Sequence, residues 1–315
     1  MATGFTACLV DRALTGTWTL KTGSAVTGYP LANLNDWRAG NQYRVTGAAN
    51  VAQVMLDLGA APSSASNTDW HINCFGLVNH NLDGMTVTVK SHTSDDYANA
   101  TTRFAATALD ANMGNPNMLV TFAAAGARYW YLNINHGSAL VSPVRIGRIV
   151  LGYAFDLGYP MEGWGLATQP SGGVARTATG VMLGGRFTDP LVSKNLRFSD
   201  PTNVSKNLIW NPAVTAATTY PTYTNVRRLL ESGRQNPIDS GSATTYSGVT
   251  AGSGVPMLYH EGDAIGLSSA GRPAKYGVIS LDTVAMQESP TNHPISLTIT
   301  DCVDANNRNI QPPTN

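Results

Sequence analysis

The sequence predicts an all-β protein made of two β-sandwich or jelly-roll domains, with one short helix in the second. Three observations carry that expectation. Apolar residues recur at every second position over many short runs, turn-forming residues separate the runs, and no helical apolar period of useful length appears before residue 150. Residues 51–58 (VAQVMLDL) put Ala52, Val54, Leu56 and Leu58 on one wholly apolar face, the expected core face. Residues 70–78 alternate as Trp70, Ile72 and Cys74 against His71, Asn73 and Phe75. In 85–90, Met85, Val87 and Val89 oppose Thr86, Thr88 and Lys90, the pattern of a half-buried strand. Runs at 118–122, 128–135 and 144–151 continue the series, and in 128–135 Tyr129, Tyr131 and Asn133 oppose Trp130, Leu132 and Ile134.

Asp83-Gly84, Gly114-Asn115-Pro116 and His136-Gly137-Ser138 supply the turns. A Gly- and Pro-rich seam over 159–173 follows, and it sets the expected organisation: a first domain over 1–153, a linker or crossover over 154–175, and a second β-rich domain over 176–315. In the second half, strands are expected near 177–187, 192–198 and 205–210. Residues 224–232 are the helical candidate, with Thr224 or Asn225 as cap and Gly233 as stop. A Ser/Gly/Thr loop over 239–254 precedes three strands at 255–260, 276–288 and 294–301, and a polar tail closes the chain.

Composition narrows the function classes. Of the 315 residues only 13% are charged, and 20 basic residues cancel 20 acidic ones. Long-range attraction to nucleic acid or to an anionic membrane is therefore not expected. A chain this poor in charge covers its surface with small polar residues, which suits a subunit living inside an assembly. Cys8, Cys74 and Cys302 lack the spacing of a disulfide framework or zinc knuckle, Cys74 and Cys302 read as buried free thiols, and folding under reducing conditions is expected. The N-terminus shows no secretion signal, no window reaches membrane-helix length, and the sequons at Asn99 and Asn203 read as chance.

No arrangement meets the needs of catalysis. There is no Gly-x-Ser-x-Gly elbow, and Cys74 and His80 stand six residues apart across a strand end. His71 and Cys74 fall on opposite strand faces, which argues against zinc. The acidic groups Asp83, Asp95-Asp96 and Asp301 to Asn307 read as solvated loops rather than calcium sites. Asn79-His80-Asn81 could pass for an active-site cluster. At a strand end, however, Asn side chains satisfy corner backbone groups and tolerate left-handed conformations, so the three are expected to be a structural corner. Trp37, Trp164, Trp210, Tyr220 and Tyr223 sit in loop-like contexts as possible interface or glycan contacts.

These residues carry a resemblance. Pro30 to Leu34 followed by Asp36, Leu56-Asp57-Leu58-Gly59, Phe75 to Leu82 followed by Val87 to Ser91, Arg128-Tyr129-Trp130 and Ile146 to Ile149 resemble a galactose-binding-type (discoidin-like) jelly roll over residues 15–153. The ordering is similar to that of structural proteins of tailed bacteriophages, whose second β domain the later half resembles more weakly. The resemblance implies that the Asn-His-Asn corner is framework. It also implies a non-enzymatic virion subunit near the tail tip, baseplate or neck, assembled in the host cytoplasm as a symmetric homo-oligomer with other virion proteins. The alternative it implies is a carbohydrate-binding module recognising host surface glycan. No catalytic residue, cofactor or metal is expected, and partner contacts are expected around Trp164 and in loop 239–254.

Overall fold

A computed structural model describes residues 5–46, 51–59, 71–106, 109, 117–135, 143–157, 165–169, 174–176, 182–184, 191–198, 249–251, 254–260, 272–284 and 295–301. The chain is all-β. The first half supplies β1 (Thr6–Asp11), β2 (Thr17–Thr22), β3 (Ser24–Ala25), a 3-10 turn (Leu31–Asn35), β4 (Tyr43–Thr46), β5 (Val51–Asp57), β6 (His71–His80), β7 (Thr86–His92), β8 (Thr101–Ala106), β9 (Met118–Gly126), β10 (Tyr129–Asn135) and β11 (Val144–Asp156). The second supplies β12 (Gly165–Gln169), β13 (Val174–Arg176), β14 (Met182–Gly184), β15 (Leu191–Phe198), β16 (Val249–Thr250), β17 (Met257–His260), β18 (Arg272–Pro273), β19 (Lys275–Val284) and β20 (Ile295–Asp301). The expected helix at 224–232 lies outside the described residues.

Two antiparallel sheets stack face to face. One has five strands in the order β2-β5-β10-β7-β8. The other has 13, and its main path runs β12-β15-β20-β19-β17-β1-β11-β6-β9-β18, with β3, β4 and β16 attached at the sides. Between the sheets lies a core that includes Trp18, Val54, Leu56, Phe75, Leu77, Val87, Val89, Trp130, Leu132, Ile146, Ile149 and Leu151. The two-residue alternation in β5, β7 and β10 places these side chains inward, as the sequence pattern implies. Both buried indoles keep their N–H satisfied, Trp130 by the Ala127 carbonyl at 2.9 Å and Trp18 by that of Ala13 at 3.2 Å.

Strand β6 departs from simple alternation. Its register against β9 shifts between Ile72 and Cys74. Ile72, Phe75 and Leu77 face the sandwich core, whereas Cys74 and Val78 face the other side, so Ile72 and Cys74 do not share the face that strict alternation assigns them. Over that step β6 advances two residues while β9 advances four, and the parity of β6 reverses beyond it.

The outer face of the large sheet is also covered. Strand β1 pairs with β11 on one side and with β17 on the other. Strand β18 pairs with β9, and one residue later β19 begins and pairs with β17. The order β1-β11-β6-β9-β18/β19-β17 therefore closes on itself. Inside this ring lie Cys8, Cys74, Val78, Leu119, Val150, Leu258 and Tyr276, while Ala7 and Leu9 of β1 turn to a further core with Met257, Tyr259, Leu297 and Ile299. The expected domain boundary at 153 falls within β11, and the large sheet runs from one half of the chain into the other.

Candidate functional site

Trp37 is the one large hydrophobic side chain exposed among the described residues, at 47%. It follows the 3-10 turn, whose Leu34 is buried and anchors the segment in the sandwich core. Three sets of contacts hold its loop. Asp36 accepts from Arg38 Nε at 3.0 Å and Nη2 at 2.6 Å, and from Asn41 Nδ2 at 2.6 Å, closing a ring around Trp37. Ala39 offers its carbonyl to Asn79 Nδ2 at 3.0 Å. The Trp37 carbonyl itself accepts from the Tyr276 hydroxyl at 2.6 Å. The Arg38 guanidinium, with help from Asn41, holds the Asp36 carboxyl down at about 2, so it is ionised throughout the physiological range.

The Tyr276 contact leads inward. Arg148 on β11 donates to the Tyr276 hydroxyl, to the Pro256 carbonyl at 2.8 Å and, through Nε at 3.1 Å, to Asp11 Oδ2, with a second and shorter bond from Nη2 to the same oxygen. Arg148 and Asp11 are both fully buried. Burial pushes the Arg148 pKa down, but Tyr276 and Asp11 outweigh it and keep the guanidinium charged. Burial raises the Asp11 carboxyl above its ordinary value, against the pull of Arg148 and of the Ala13 N–H. Nearby, the Cys8 thiol is raised by its hydrogen bond with Cys74 and by burial, so neither its protonation nor its access suits a nucleophile.

Asn79 and His80 end β6, and Asn81 follows it. Asn79 adopts φ 51°, the one left-handed non-glycine backbone among the described residues. Its N–H donates to Asn117 Oδ1 at 3.0 Å. Asn81 Oδ1 accepts from the Arg145 N–H at 2.7 Å, and its Nδ2 donates to the Pro143 carbonyl at 3.1 Å. His80 Nδ1 accepts from the Leu82 N–H at 3.1 Å, which leaves the proton on Nε2. That nitrogen is sealed from water and has no partner, although part of the residue reaches the surface. Burial lowers the His80 pKa to about 4. A base needs an open lone pair, and the one lone-pair nitrogen here is taken by the backbone.

A second polar surface covers the outside of the five-stranded sheet. There Tyr97 packs edge-on against Tyr131 at 5.4 Å, lies under Lys90 at 4.4 Å and accepts from Asn133 at 2.9 Å. Asp95 ties the same segment to Tyr131 and Lys21. These groups satisfy one another and bury Tyr131.

Of the aromatic candidates read from the sequence, Trp37 is placed at the surface. Trp164, Trp210, Tyr220 and Tyr223 lie outside the described residues, as do Cys302 and the loop at 239–248. Among the described residues, no three His, Cys, Asp or Glu side chains are grouped to hold a metal, and no helix is long and apolar enough to cross a membrane. Sequence reasoning gave no role to Arg148, which stands between Gly147 and Ile149, or to Asp11, which ends the mostly apolar β1. For Arg148, a charge within an otherwise apolar stretch of strand was the available signal.

No protein-family model matches the chain, and no curated protein matches it. Similar solved structures include chitosan-binding module 1 from a chitosanase/glucanase of Paenibacillus sp. IK-5, at 16% identity and a TM-score of 0.36, covering 45% of this chain and 98% of that one. The CBM32 of AlyQ in complex with 4,5-unsaturated mannuronic acid matches at 15% identity and a TM-score of 0.31, covering 44% and 94%. CpGH89CBM32-5 of Clostridium perfringens, in complex with GalNAc-β-1,3-galactose, matches at 11% and 0.35, covering 46% and 99%.

Proposed function

We propose that the chain is a non-catalytic binding module that holds carbohydrate against Trp37, with Asn79 to Asn81 serving as architecture beneath it. The carrying observation is an exposed indole on a loop fixed from three directions, by Asp36 with Arg38 and Asn41, by Asn79, and by Tyr276. An indole ring stacks on the apolar face of a pyranose, and flanking amide, carboxylate and guanidinium groups meet its hydroxyls. A fixed loop loses little freedom on binding, which favours weak ligands. The sealed Nε2 and occupied Nδ1 of His80 support a reading without catalysis at that corner.

A glycan array on the purified protein tests this. Reproducible binding that Trp37→Ala weakens at least about tenfold, a loss of about 1.4 kcal/mol, is the expected result. The melting temperature should stay near wild type, because the ring is exposed. No binding to any glycan sinks the reading.

One observation favours a second reading, a structural subunit of a tailed-phage particle. The charges cancel, 20 against 20, and charged residues make up only 13% of the chain, which removes the repulsion that keeps copies apart. Trp37 would then anchor a subunit contact. Native mass measurement separates the two: a symmetric oligomer that Trp37→Ala disperses supports assembly, and a glycan-binding monomer opposes it.

A further inference from the structure

Cationic side chains in the described part of the molecule are mostly taken up. Lys21, Arg38, Arg128 and Arg148 each form an ion pair, and Lys90 lies over Tyr97. Arg44 and Arg145 differ. They are direct cross-strand partners in the pairing of β4 with β11. Their neighbours Tyr43, Val45, Val144 and Ile146 all face the sandwich core, so both arginines project from the opposite side. Directly opposed residues hold their Cβ atoms about 5 Å apart, and like charges there repel.

No carboxylate among the described residues pairs with either one. The adjoining segments 47–50 (GAAN) and 137–142 (GSALVS) contain no acidic residue. Arg44 stacks on the Tyr29 ring at 3.7 Å and donates through Nη2 to Gln42 Oε1 at 3.2 Å, while its Nε is buried without a partner. Two guanidinium groups carried on directly opposed positions, one of them held against an aromatic ring, bring two positive charges to one oxyanion.

The pair adjoins the Trp37 loop. Gly147 lies two residues beyond Arg145, about 7 Å along the strand, and a Cβ at Gly147 would run into the Ala39 carbonyl. Residues two apart share a face, so Arg145 projects on the side where the loop lies. Asp36, the acidic group of that loop, is committed to Arg38 and Asn41.

We propose that Arg44 and Arg145 form an anion subsite beside Trp37, which takes the carboxylate or sulfate of an acidic glycan. The inference rests on the carbohydrate reading of Trp37 and adds the charge class of the ligand.

The test compares oligogalacturonate, a chondroitin sulfate oligosaccharide and a neutral chito-oligosaccharide by titration calorimetry at low and high salt, with D-glucuronate alone as an added probe of the arginine pair. At least one acidic ligand should bind about tenfold tighter than the neutral one at low salt, with the preference shrinking as salt rises. Arg145→Gln and Arg44→Gln should abolish that preference and keep the neutral affinity, whereas Trp37→Ala weakens all three. Which acidic ligand wins distinguishes carboxylate from sulfate. D-glucuronate should raise the wild-type melting temperature and not that of Arg145→Gln, whose own melting temperature should not fall, because a like-charge contact is removed. Equal binding of neutral and acidic ligands overturns the subsite and leaves the carbohydrate reading standing. Binding to no glycan overturns the carbohydrate reading, and if D-glucuronate then shifts wild type and Arg145→Gln alike, the arginine pair is overturned as an anion site in its own right.

Discussion

His80 ties local chemistry to pH. Its folded-state pKa is lowered from 6.5 to about 4 because burial disfavours the charged ring. The unfolded chain therefore takes up a proton first, and stability present above pH 6.5 is lost as the pH falls from there toward 4. The full loss amounts to at most about 3 kcal/mol. His80→Gln, which keeps an acceptor for the Leu82 N–H and cannot ionise, should flatten this limb in urea unfolding at pH 7, 5.5 and 4.5. An unchanged slope would mean that the imidazole does not govern the window. Asp36 acts lower on the scale. Its carboxyl is held at about 2, so its contribution is present above the ordinary carboxylate range and is lost only as the pH falls toward 2. The two windows do not overlap, which lets one titration separate them.

At the level of elements, Gly147 decides how closely the Trp37 loop can lie on β11. A methyl there meets the Ala39 carbonyl, the Asn79 Cβ and the Val78 carbonyl, two of which are backbone atoms that cannot swing away. Gly147→Ala should cost about 1–3 kcal/mol by overpacking and weaken glycan binding together with stability, both readable on one sample by thermal melts and calorimetry. A normal melt would show that the loop yields freely. Much of this level was legible in the sequence. The alternation in β5, β7 and β10 depends on each strand alone, and Ala52, Val54, Leu56, Val87 and Val89 are buried as their spacing implies. Strand β6 was harder, because a register irregularity against β9 reverses its faces without any mark in composition. Arg44 and Arg145 could not be read as a pair, since each sits singly in an ordinary strand and only the β4–β11 register brings them together. Trp37 stood out by type, yet the contacts that fix it come from Asn79 and from Tyr276, far along the chain.

Across the molecule, Arg148 joins parts that the sequence suggests are separate. It bonds Asp11 on β1 and reaches Pro256 and Tyr276 in the second half. Arg148→Ala leaves a buried carboxylate unpaired and should cost about 3–5 kcal/mol. Removing both charges, as in Asp11→Leu with Arg148→Met, should cost far less, since neither ion is then stranded. Urea midpoints of the two variants check this, and equal losses would show that the ion pair itself is the stabilising feature. Because β1 is shared by the cores of both halves, wild type should unfold in one transition by fluorescence and by circular dichroism.

The closed ring also bears on synthesis. Residues 6–11 are made before either of their partners, because one flank of β1 waits for residues 152–156 and the other for 259–260. A nascent chain still on the ribosome short of that point carries β1 with an open hydrogen-bonding edge. Holding that edge from neighbouring polysomes, by a chaperone or by rapid elongation, is the demand this topology makes on the cell that produces it.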